Sequence, residues 1–167
     1  MTSGFTAVTN SYMLGLLEDL KYYLGQPDFT SRFTQRYFDP EFKEGKDRDI
    51  HLYLDGLGEH SKTIRKEAVS RRLLRNMIEI YEEDNIAYLE DRVDELINYF
   101  KTQYPGKKDI PHVQKLKGMM REWEEELVWA FFGFNTSSVS HMRLGFYQGD
   151  IFTENPEMDR DVIPIFN

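Results

Sequence analysis

Residues 61–102, SKTIRKEAVSRRLLRNMIEIYEEDNIAYLEDRVDELINYFKT, decide what kind of chain this is. Ser61 stands as an N-cap, and Val69, Leu73, Met77, Ile80 and Tyr81 then recur at helical spacing on one face. Asp84-Asn85 interrupts the pattern. After it Ile86, Leu89, Val93, Leu96, Ile97 and Phe100 form a second stripe of the same period. Aspartate and asparagine both cap and break helices, so the stretch reads as two helices with a turn at 84–85.

The same pattern extends outward in both directions. Upstream, Asn10 or Ser11 caps a first helix carrying Met13, Leu16, Leu17 and Leu20, and Gly25 with Pro27 stops it near Leu24. Asp28 then opens a short helix with Phe29, Phe33 and Tyr37 on one line, ended by Asp39-Pro40. Glu41 to Asp49 reads as a charged loop leading into a short apolar piece, Ile50 to Leu57. Downstream, Tyr104-Pro105-Gly106 is a break. Asp109 and Pro111 start a last long helix that carries Val113, Leu116, Met120, Trp123, Leu127, Ala130 and Phe131, with Gly133 at its end.

Beyond Gly133 the texture changes. Val139 to Phe152 alternates apolar residues with Gly145 and Gln148-Gly149, the pattern of a small β-hairpin or extended segment. The expected fold is therefore mainly α: a helical bundle of about four to five helices with a small C-terminal β-hairpin or extended segment and an arm. Residues 1–152 form a single domain in this reading, and 153–167 an extended C-terminal arm.

Composition narrows the function. The chain has 167 residues, 40 % hydrophobic and 14 % aromatic, enough to bury a core. It carries no cysteine, which removes disulfide scaffolds, thiolate metal sites and cysteine nucleophiles. A net charge of −8 repels nucleic-acid backbones and anionic membrane surfaces. No apolar run approaches a membrane span, and Met1 to Phe5 lacks the basic start of a signal peptide. The expected location is cytoplasmic, or within a virus particle, with neither membrane nor nucleic acid as partner.

The charges are unevenly placed. Lys62, Arg65, Lys66, Arg71, Arg72 and Arg75 cluster against Glu67 alone, while Glu79 to Glu95 holds acids against Arg92 alone. The last helix repeats the order, bases first and then Glu122, Glu124, Glu125 and Glu126. Folded up, down, up, three such helices gather acids at one pole and bases at the other. Opposite poles on identical subunits complement each other head to tail.

Catalytic signals are weak. Glu79/Glu82 and Asp91/Asp94 have the i, i+3 spacing with which all-α phosphohydrolases hold Mg²⁺, but glutamate-rich helices produce such pairs by chance. Asp47-x-Asp49-x-His51 fails as a calcium loop because Leu52 and Gly58 stand where glycine and glutamate are needed. His51, His60, His112 and His141 form no metal motif, and no phosphate loop or nucleophile elbow occurs. The basic run at 62–75 spreads over more than half of its helix with no aromatic residue between.

These observations point to a non-enzymatic interaction or assembly protein, an adaptor, connector-type component or structural subunit, binding itself or another protein without a cofactor. Arg71, Arg72, Arg75, Glu82, Glu83, Glu90, Glu124 and Glu125 are the expected docking residues, with Ile163, Ile165 and Phe166 of the arm. Trp123, Trp129, Phe131, Phe132 and Phe134 read as core, and Trp129 or Phe132 left outside would mark an interface. The alternatives are a small Mg²⁺ or Mn²⁺ phosphohydrolase using Glu79, Glu82, Asp91 and Asp94, and an acidic decoy that inhibits a nucleic-acid-handling protein.

Overall fold

The run Ala68–Ile78 is buried along its whole length, arginines included, so the helix that starts at Ser61 is the axis of the molecule rather than one face of it. The computed structural model of the chain describes residues 5–40, 42–104, 106–144 and 155–166. Among these, seven α-helices form: α1 (Asn10–Leu24), α2 (Pro27–Thr34), α3 (Lys43–Gly58), α4 (Lys62–Tyr81), α5 (Ile86–Thr102), α6 (Pro111–Phe131) and the single turn α7 (Ile163–Phe166). No strand occurs among the described residues. No helix among them is long and apolar enough to cross a membrane.

Three helices enclose α4. The connection at 59–61 returns α4 antiparallel along α3, and Gly56 lets the two backbones close: a Cβ there would lie 3.0 Å from the Arg65 amide nitrogen. On another side α1 runs antiparallel to α4, Tyr23 donating its hydroxyl to the Thr63 carbonyl at 3.0 Å. Across α4 lies α6, Asn76 beside Met120 and Arg72 beside Trp123. Met13, Leu17, Leu20, Leu73, Leu74, Met77, Leu116, Met120 and Trp123 make the common core.

The turn expected at 84–85 is present. Glu82 ends α4 in the left-handed region at φ 51°, and Asn85 caps α5 by accepting from the amides of Ala87 at 3.0 Å and Tyr88 at 3.5 Å. The path of α5 departs from the up-down-up bundle. Rather than doubling back along α4, α5 packs chiefly on α1, stitched by Lys101 to Glu18 at 3.1 Å and Lys21 to Asp94 at 2.5 Å.

Other differences have local causes. Residues 43–49, expected as loop, are the first turns of α3, because Lys46 and Asp49 face α4 and find charged partners there. Asp109 does not cap α6. It binds Lys117 at 2.6 Å and the Tyr99 hydroxyl at 3.1 Å, leaving Ile110 at the cap position and Pro111 at the first turn. The expected β-hairpin is not formed over 139–144; its remainder, to 152, lies outside the described residues. Instead His141 and Arg143 reach carboxylates of α6, so this stretch is a strap. The arm, expected extended, is helical from Met158 through Phe166.

Candidate functional site

Two sites emerge, one inside and one outside. The interior one is built from the arginines of α4. Arg72, 2 % exposed, pairs with Glu126 at 2.7 Å and lies with its guanidinium over the Trp123 ring at 5.5 Å. Arg75, 1 % exposed, donates Nε to Asp49 at 2.6 Å and stacks over Phe38 and Tyr37. Arg71 donates to Glu67 at 2.5 Å and to the Tyr37 hydroxyl at 3.2 Å. Planar, delocalised guanidinium groups tolerate burial on aromatic faces better than ammonium groups do. Gly45 makes room for one of them, since a Cβ there would meet the Arg75 guanidinium at 2.5 Å.

The docking role expected for Arg71, Arg72 and Arg75 is thus corrected. Arg72 ties α4 to α6, Arg75 ties it to α3, and Arg71 bonds Glu67 of its own helix and Tyr37 beyond α2, so all three side chains are buried and engaged within the chain. Other charges of the expected poles are also engaged within the chain. Lys117, Glu122 and Glu126 are buried as well, while Lys66 is neutralised by Asp19 at 2.8 Å.

The network extends into the strap. His141 Nε2 lies 3.2 Å from Glu126 Oε1, and its Nδ1 lies 3.7 Å from Glu125. Arg143 grips the buried Glu122 with two bonds of 2.8 and 2.9 Å. Burial pushes the Glu126 carboxyl up, but the His141 hydrogen bond and the Arg72 charge outweigh it, and its pKa sits below the ordinary glutamate value. Burial also opposes Glu67, and again the bonds from Arg71 and Arg32 win and lower it. Asp49 goes the other way: burial raises it despite Arg75.

The carboxylates considered for metal are not gathered. Glu79 lies 3.7 Å from Lys46 and 3.8 Å from Arg143, Glu82 sits beyond the end of α4, Asp94 is paired to Lys21, and Asp91 projects from α5 into solvent. Among the described residues no three histidine, aspartate or glutamate side chains stand close enough to share a cation. Of the remaining expected docking residues, Glu82 and Glu90 are exposed and Glu83 is half-buried in the α4–α5 turn. Glu124 bonds Arg121 and Glu125 faces His141.

The outer site was only conditional in the sequence. Trp123 is core as expected, but the end of α6 is not. Phe131 is 70 % exposed and Phe132 69 %, with Val128, Trp129 and Phe134 exposed beside them. Their arrangement is ordered. Gly133 turns the chain at φ 89°, the Phe134 amide donates to the Trp129 carbonyl at 3.1 Å, and the Trp129 and Phe134 rings meet edge to face at 5.7 Å. The arm presents a second apolar surface, with Ile163 and Ile165 exposed and Phe166 83 % exposed. Compared with protein-family models, curated proteins and solved structures, the chain matches none.

Proposed function

We propose that this is a non-enzymatic assembly protein that docks through the aromatic end of α6, and that the C-terminal segment of a second copy is what docks there. The observation that carries the reading is the exposure of Phe131 and Phe132 on a chain with an ample core of its own. Isolated exposed apolar residues are ordinary, but five large ones within seven consecutive positions make a contiguous patch.

The chain itself carries a surface that matches the ledge. Two copies of net charge −8 repel each other overall, so a contact between them is least opposed where neither surface carries charge. Val128–Phe134 contains no ionisable residue, and neither does Val162–Phe166. One is a broad aromatic ledge on a rigid helix end; the other is a short apolar turn at the far end of the chain. Such a contact is heterologous, so it closes into a ring or propagates.

The test is mass against protein concentration by light scattering. The native chain should rise above the monomer mass of 19.9 kDa. Phe131→Ser/Phe132→Ser should stay monomeric with its melting temperature kept, each lost phenylalanine contact being worth about 1.5–3 kcal/mol. Deleting 153–167 should have the same effect. A native chain that remains at 19.9 kDa throughout, or variants that associate as strongly, would refute the reading.

A further inference from the structure

We infer that the groove between the end of α2 and the α4–α5 turn binds a cationic segment with an apolar anchor, supplied by a different protein. The groove has a volume of about 1030 Å³ and a floor of Phe33, Phe38, Ile78 and Ile86. Its rim is acidic: Asp39, Glu79, Glu82, Glu83 and Asp84 line it, with Arg36 the one base among the described lining residues.

The rim divides into two parts. Asp39 binds Arg36 at 2.8 Å, and Glu79 lies between Lys46 and Arg143. The consecutive Glu82, Glu83 and Asp84 have no ion pair among the described residues, although Glu83 accepts from the Asn85 amide at 2.9 Å. The left-handed backbone at Glu82 turns this acidic triplet off the helix axis and onto the lip of the groove. A partner with an aliphatic or aromatic side chain for the floor and flanking lysines or arginines for the lip satisfies both halves. Acids alone would attract any cation. The apolar floor beneath them selects an amphipathic one, as in helix-in-groove recognition.

A second copy fits less well, because its net charge of −8 opposes approach to an acidic rim. The groove is a different surface from the aromatic end of α6, and the two together describe an adaptor: self-association at one, a basic partner at the other.

The test uses the full chain and a fluorescent amphipathic lysine–leucine peptide, with a lysine–serine peptide of equal charge as control. The native chain should bind the leucine peptide and prefer it clearly over the serine one. Glu82→Gln/Glu83→Gln/Asp84→Asn should weaken it about tenfold, the size expected for three exposed ion pairs. Asp28→Asn/Asp55→Asn/Glu59→Gln, three exposed acids outside the groove, should leave binding unchanged. Equal binding of both peptides, an unaffected triple variant, or equal loss with the control variant would each overturn the inference. The triple variant should keep the native mass, and the chain lacking 153–167 should keep peptide binding, so failure here and failure of self-assembly are told apart.

Discussion

Arg72 is the residue on which the interior depends. Its charge is buried against Glu126, which is itself buried, so removing one partner leaves the other uncompensated. Arg72→Ala should cost about 3–5 kcal/mol in urea unfolding, read by the fluorescence of Trp123 beneath it. The double variant Arg72→Met/Glu126→Gln should recover most of that loss, since neutral groups of similar volume replace the buried pair while the amide still faces His141. A double variant as weak as the single one would mean the pair itself, and not the orphaned charge, sets the stability. The arginines were visible in sequence only as a basic run. Their partners stand 26 positions away for Arg75 and further still for Arg72, beyond any local pattern. One signal was present: Ala68, Val69, Leu73, Leu74, Met77 and Ile78 put apolar side chains on more than one face, which marks an enclosed helix.

At the scale of elements, helices announced by periodicity and capping were legible, and those whose register depends on charge were not. Ser61, with its hydroxyl accepting from the Ile64 amide at 3.3 Å, caps α4 as its position implies. Lys43 to Asp49 looked like a solvated loop because the charges that bind it to α4 are those that, locally, suggest water. Over 139–144 no strand forms for a related reason: alternation there is outweighed by the two anchors, His141 and Arg143, that reach α6. The short link between α4 and α5 rests on one side chain. Asn85→Ala should lose about 1 kcal/mol, because the Ala87 and Tyr88 amides then have no cap acceptor. Hydrogen exchange should show the loss as faster opening confined to the first turn of α5. Uniform acceleration along the whole chain would place the effect elsewhere.

The whole molecule combines a charge-paired interior with apolar ends, and acid should loosen the interior first. Glu67 and Glu126 titrate below their ordinary 4.5 in the folded chain, so the unfolded chain takes up protons before the folded one does. The stability they contribute is complete above 4.5 and is lost as pH falls through their lower folded values. Asp49, held above its ordinary 3.8, opposes this in part. Unfolding free energy should therefore decline below pH 4.5, with a shallower decline in Glu126→Gln; a curve that stays flat or rises in acid would contradict the pairing.

The surface was the least legible part, because exposure is a property of the assembled fold. Val128–Phe134 has the composition of a core segment, and only the direction in which α6 leaves the body puts it outside. The most direct measurement is a photo-cross-link from Phe166 replaced by p-benzoylphenylalanine, using a mixture of isotopically light and heavy copies. Peptides joining position 166 of one copy to 128–134 of the other should dominate. Links confined to a single copy, or scattered over other surfaces, would contradict docking of one chain's end on the next.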